Sequence, residues 1–120
     1  ENHYTTPYDL YLILNEAVKY DLIRKILPQA DYNTMFVGPD GSNKSIAVRA
    51  TDAYLTGDVD APEGITVLGG KTGTTEPAGH CLVILSENAA GNYFISVVMK
   101  TESLDELYSD MNLLLSEIPN

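Results

Sequence analysis

Gly69-Gly70-Lys71-Thr72-Gly73-Thr74-Thr75 gather a cation, hydroxyls and backbone amides in one short stretch, directly after the apolar run Ile65 to Leu68. A carboxylate is the group such a surface suits: the ammonium supplies charge, the hydroxyls supply directional donors, and a glycine lets a second backbone come close. Gly70-Lys71-Thr72 also matches the end of a nucleotide-binding P-loop. That loop needs a glycine where Ile65 stands, and a helix opening at the lysine so that backbone dipoles meet the phosphates. Lys71 is instead followed by Thr-Gly-Thr-Thr-Glu-Pro-Ala-Gly and another β-rich run, which makes no phosphate cradle. The remaining arrangement is an exposed edge strand. Alternation sends Lys71 and Gly73 to one face and Thr72 and Thr74 to the other, and strand twist can bring Lys71 and Thr72 toward one site. A ligand lying alongside would then pair with the edge amides as an added strand. Taken without its flanks, the same stretch reads more readily as a solvated strand edge with a turn.

The elements around it follow from periodicity and punctuation. Thr6-Pro7-Tyr8-Asp9 starts a helix, with Thr6 as cap, Pro7 in the first turn and Asp9 at the positive end of the dipole. Leu10, Ile13, Leu14, Ala17 and Val18 make one apolar stripe, so the helix is expected to run to about Leu27, with Pro28 as its stop. Thr34 to Val37 and Ser45 to Ala50 flank the turn formers Gly38 to Asn43 and read as a small hairpin. Thr56 to Gly64 is an acidic connecting loop. Ile65 to Thr75, Cys81 to Leu85 and Tyr93 to Met99 are strands, the last two forming a hairpin across Ser86 to Asn92. Leu104, Leu107, Tyr108, Met111, Leu114 and Leu115 fall at helical spacing behind the candidate cap Ser103, with Pro119 just past the end. The expected fold class is α+β: an antiparallel sheet of the three strands, ordered as in the chain and covered by the terminal helices.

At 120 residues, 44% hydrophobic and 20% charged, residues 1–120 suit one domain or part of one. A net charge of −10 with seven Lys and Arg excludes a nucleic-acid partner, which needs a basic face. No run reaches the roughly 20 apolar residues of a membrane span. The start at Glu1, without a leader and almost inside a helix, reads as a piece of something longer. Cys81 is the only cysteine and reads as a buried free thiol. His3 and His80 are too far apart to make a metal site with it. Asp58-Val59-Asp60 with Glu63 hints at calcium, but Gly69 stands where a bidentate glutamate belongs, so the loop reads as solvated. The residues call for no cofactor and no metal. His80 is read as a polar surface residue.

Gly70-Lys71-Thr72-Gly73-Thr74 resembles the Lys-Thr-Gly box of penicillin-binding proteins and serine β-lactamases. The flanks narrow the resemblance. His3-Tyr4-Thr5-Thr6, Pro62 to Leu68 before the box and Ala78-Gly79-His80-Cys81-Leu82 after it are similar to the D-alanyl-D-alanine carboxypeptidases, over nearly the whole chain but only the C-terminal portion of that catalytic domain. The resemblance implies a partial β-lactamase/transpeptidase-like fold and a peptidase that trims peptidoglycan stem peptides through an acyl-serine intermediate, outside the cytoplasm. Its ligand would be a stem peptide or a β-lactam.

Carried over by resemblance, Lys71 adds charge beside the catalytic groups and the Thr72 hydroxyl binds the terminal carboxylate. Gly73 permits close approach, and the Thr74 N–H is one oxyanion donor while its carbonyl pairs with the substrate amide. Neither of the family's Ser-x-x-Lys and Ser-x-Asn boxes is expected among these residues; both are placed ahead of the segment resembling His3-Tyr4-Thr5-Thr6. The chain alone is therefore expected to hydrolyse nothing, and the strand Tyr93 to Met99 is expected to leave a bare edge open to self-association. A β-lactamase-related hydrolase and a non-catalytic carboxylate-binding or structural module remain alternatives.

Overall fold

A computed structural model describes residues 3–119, so what was expected of Glu1 lies outside the described residues. Helix α1 (Pro7–Ala17) opens as its sequence dictates: Thr6 Oγ1 accepts from the Asp9 N–H at 3.2 Å, and the Asp9 carboxylate accepts from the Thr6 N–H at 3.0 Å. The helix does not continue to Leu27. The Glu16 and Ala17 carbonyls are taken by the Lys19 and Tyr20 N–H groups in a tighter turn, and the chain restarts as α2 (Asp21–Ile26). A straight helix would carry Leu27 about 15 Å beyond Ala17 along its axis. The break instead lays the Leu27 carbonyl against Gly69 of the sheet. The expected buried stripe shrinks accordingly, with Leu14 buried while Ile13 is exposed.

Strands β1 (Asp31–Val37) and β2 (Asn43–Arg49) form the expected hairpin, in register from Asp31↔Arg49 to Val37↔Asn43. The Asp40 carboxylate holds the turn by accepting from the Ser42 hydroxyl and N–H, and these bonds lower its pKa. Both strands are exposed along their whole length and make a sheet of their own. A one-turn helix, α3 (Ala53–Thr56), follows, capped by Asp52 and ended by Gly57 at φ 76°.

The main sheet is β3 (Ile65–Thr75), β4 (Gly79–Asn88) and β5 (Tyr93–Thr101), antiparallel and in chain order. β4 and β5 run longer than periodicity indicated, because Asn88 tightens their connection: its side-chain oxygen accepts from the Ala90 and Asn92 N–H groups. Helix α4 (Leu104–Ser116) is capped by Ser103, whose hydroxyl accepts from the Glu106 N–H at 3.1 Å. Leu107, Tyr108, Met111 and Leu115 lie on one stripe of α4 and pack on Leu82, Ile84 and Val98 of the sheet. Each fully buried leucine there contributes about 1.5–3 kcal/mol of hydrophobic stabilisation. α1 lies over β4 and β5 on the other side. The architecture is α+β, an antiparallel sheet covered by helices. Among the described residues, β3 and β5 each pair only with β4, leaving two free sheet edges.

Candidate functional site

The register of β3 decides where its chemistry points. Ile65, Thr66 and Val67 pair with Asn88, Glu87 and Ser86, but Gly69 then pairs with Leu85, so Leu68 is a bulge. Were Leu68 paired in regular register instead, Thr72 would stand opposite Cys81. With the bulge, Thr72 pairs with Leu82 on the α4 side of the sheet, and Lys71 pairs with Val83 on the other.

The three glycines of the stretch differ in what demands them. Gly69 sits at φ 122°, and a Cβ there would lie 2.1 Å from the Leu27 carbonyl oxygen. At Gly70 a Cβ would lie 2.1 Å from the Val83 oxygen. Gly73 has no positive φ, and a Cβ there would meet nothing within 4 Å among the described residues. The chain's own packing therefore explains Gly69 and Gly70 but not Gly73, which stands on an open edge.

Lys71 is exposed and forms no ion pair among the described residues; its ammonium donates to the neighbouring Thr72 carbonyl at 2.5 Å. The three ion pairs among the described residues, Lys19–Glu16, Arg24–Asp21 and Arg49–Asp31, lie elsewhere. Thr72 is half-buried, with its Oγ1 2.5 Å from Thr51 Oγ1. Thr74 is exposed and pairs with His80 across the ladder, its Oγ1 3.2 Å from His80 Nδ1. The structure thus brings Lys71, Thr72, Gly73 and Thr74 onto one free edge. It adds Thr51 and His80, of which Thr51 was not singled out from sequence and His80 was set aside.

Thr51 is placed by its neighbours. Asp52, 2% exposed, caps α3 by accepting from the Tyr54 N–H at 3.1 Å, while its second carboxylate oxygen has no hydrogen-bond partner among the described residues. Burial pushes the Asp52 carboxyl up, opposed in part by the Tyr54 N–H. The Ala53 N–H donates to the Tyr108 hydroxyl at 2.9 Å, and the Tyr54 hydroxyl donates to Asn112 Oδ1 at 2.8 Å. Burial, then the charge of Asp52, raises the Tyr54 hydroxyl well above the ordinary phenol range, so it stays a donor. The two rings meet edge to face, 5.3 Å apart. These contacts pin α3 to α4, and α3 in turn sets Thr51 beside β3.

One sequence expectation needs correction. Ser-x-x-Lys occurs nowhere, but the spacing Ser-x-Asn does occur, at Ser86-Glu87-Asn88. The structure gives this segment a different task. Ser86 is fully buried, and Asn88 shapes the β4–β5 turn and donates to the Pro119 carbonyl at 2.6 Å. Ser86 pairs with Val67, five residues or roughly 16 Å along β3 from Thr72. It does not belong to the site.

Other features lie apart. A hollow of about 520 Å³ between α1, α2 and the sheet is lined by Tyr11, Arg24, Leu85 and Ile95, among others, and by none of the four edge residues. Among the described residues no three His, Cys, Asp or Glu side chains are grouped to hold a metal ion, and Asp58 accepts from the Thr56 hydroxyl at 2.6 Å. No helix of the described residues is long and apolar enough to cross a membrane.

A protein-family model described as D-alanyl-D-alanine carboxypeptidase matches residues 1–103, which takes in every element up to the end of β5. No curated protein matches the chain.

Proposed function

The chain belongs to the D-alanyl-D-alanine carboxypeptidase family, and from that premise we propose that β3 is the substrate-binding wall of a serine-type enzyme that removes the terminal D-Ala of peptidoglycan stem peptides. The observation that carries this reading is Gly73: nothing among the described residues occupies the space beside it, and it lies on a free strand edge. A stem peptide lying along that edge would pair with its backbone as an added strand. Its terminal carboxylate would take the Thr72 hydroxyl on the α4 side of the sheet, while Lys71, on the other side and with no competing carboxylate among the described residues, would add positive charge along the same edge.

In the reaction a serine oxygen attacks the carbonyl of the penultimate D-Ala. The resulting oxyanion is held in part by the Thr74 N–H, a preorganised donor of a kind typically worth about 3 kcal/mol. Collapse expels the terminal D-Ala as an amine and leaves an acyl-serine, which water then hydrolyses. No Ser-x-x-Lys spacing occurs here, so the nucleophile and its base come from outside residues 1–120, and this chain by itself forms a single partial domain that binds without turning over. The site needs no cofactor. Work on peptidoglycan places the enzyme outside the cytoplasm, and a β-lactam, which also presents a carboxylate beside a reactive carbonyl, would use the same wall. The free edge of β5 is open to pairing with a second copy of the chain.

The test is an amide-resolved NMR titration with an N-acetylated peptide ending in D-Ala-D-Ala. Shifts should concentrate at residues 71–74 and weaken about tenfold or more in Thr72→Val, since a charged acceptor loses its hydroxyl. Shifts scattered over the surface, or unchanged affinity in Thr72→Val, would overturn the assignment.

A further inference from the structure

The hydroxyl pair Thr51–Thr72 has a consequence for the direction of hydrogen bonding at the site. A hydroxyl has one proton to give and two lone pairs to accept with, whereas a carboxylate only accepts. For Thr72 to bind a carboxylate it must spend its single proton there. A second hydroxyl 2.5 Å away must then be the donor in the Thr51–Thr72 bond. Thr51 can fill that role, because among the described residues its Oγ1 has no other hydrogen-bond partner.

We infer that Thr51 is a positioning residue: its hydroxyl donates to Thr72 Oγ1, fixes the Thr72 side chain and leaves the Thr72 proton aimed at the ligand. The inference rests on the reading of Thr72 as the carboxylate donor. Two features of the fold support it. The Leu68 bulge is what turns Thr72 toward Thr51, and the buried Asp52 cap with the Ala53–Tyr108 and Tyr54–Asn112 bonds holds Thr51 on a fixed backbone. A chain of donors running Thr51 to Thr72 to carboxylate is polarised along its length, so each bond strengthens the next. Thr51 itself does not touch the ligand in this arrangement.

Thr51→Val keeps the shape and removes the donor; Thr51→Ser keeps the donor; Thr51→Ala serves should the valine disturb the fold. Two readouts apply. Three-bond couplings to the Thr72 methyl report whether its side chain holds one rotamer without ligand. NMR titrations with D-Ala-D-Ala peptides ending in a free carboxylate or in a carboxamide report the preference for charge.

The native chain should show one rotamer and prefer the carboxylate. Thr51→Val should average the rotamer and reduce that preference about three- to tenfold, the worth of one hydrogen bond, while carboxamide affinity stays put. Thr51→Ser should restore both. An unaltered rotamer and preference in Thr51→Val would overturn the inference, as would tighter carboxylate binding, which would mean that Thr51 competes for the Thr72 proton. If the native chain binds neither peptide, the carboxylate reading of Thr72 fails, while the couplings still decide whether Thr51 fixes that side chain.

Discussion

Replacing Gly69 and Gly73 by alanine, one at a time, should separate a glycine required by the fold from one required by a ligand. At Gly69 the backbone sits at φ 122°, where an L side chain costs about 1–3 kcal/mol. The new Cβ would also lie 2.1 Å from the Leu27 carbonyl oxygen and 2.8 Å from its carbon, so α2 and β3 must part, for another 1–3 kcal/mol or so. The sum is about 2–6 kcal/mol. At roughly 3–6 °C per kcal/mol for a chain of this size, Gly69→Ala should melt at least 6 °C lower.

Gly73 has ordinary φ and open space, so Gly73→Ala should stay within about 1 kcal/mol of the native chain, with a gain from the stiffer unfolded chain as plausible as a loss. Its methyl would stand where a peptide backbone has to approach. D-Ala-D-Ala peptide affinity should therefore fall about tenfold, equivalent to 1.4 kcal/mol. Thermal unfolding by circular dichroism reads the first quantity and NMR titration the second. If Gly73→Ala destabilises as much as Gly69→Ala, or binds the peptide as the native chain does, the argument from empty space at Gly73 is wrong.

Three further outcomes are expected. The Asp52 carboxyl is raised by burial, so the folded state holds its proton more tightly than the unfolded state; its effect on stability is therefore lost to the fold as pH rises from about 4 through the folded value. Asp52→Asn, which can keep the cap, should then be more stable than the native chain to urea at pH 7 and show no advantage at pH 3; an advantage of equal size at both would refute the burial argument. Incubation of the 120-residue chain with a labelled penicillin should leave no covalent adduct, and an adduct stable to denaturation would reveal a nucleophile that the Ser-x-x-Lys criterion overlooks. Light scattering should show mass rising with concentration through pairing at the β5 edge, and a constant monomer mass would count against it.

Local punctuation made much of this fold legible. The Thr6 capping box, the Gly38 to Ser42 turn, Ser103 and the α4 stripe all act within a few residues, where sequence spacing and geometry coincide. The break after Ala17 was not legible, because the apolar spacing continues through Val18 while the reason to bend lies about 50 residues away, at Gly69. The candidate site divides the same way. Lys71 to Thr74 could be singled out by type and order. Thr51 could not: it is an ordinary threonine 21 residues upstream, brought to Thr72 only by α3 and the bulge. Ser86-Glu87-Asn88 shows the converse, a motif-like spacing that burial and turn geometry assign to structure.

Leu68 gives the strand a property that no single side chain in it carries. Ahead of it, Ile65 and Val67 pack toward the α4 core; past it, Gly70 and Thr72 inherit that side. Where the chemistry points is thus set by which residue the ladder leaves unpaired, not by the identity of any side chain. Drawing Leu68 into the ladder would slide Lys71 and Thr72 one place along β4 and exchange the surroundings of the ammonium and the hydroxyl, whereas losing one residue between Val67 and Lys71 would only remove the bulge and leave them opposite Val83 and Leu82.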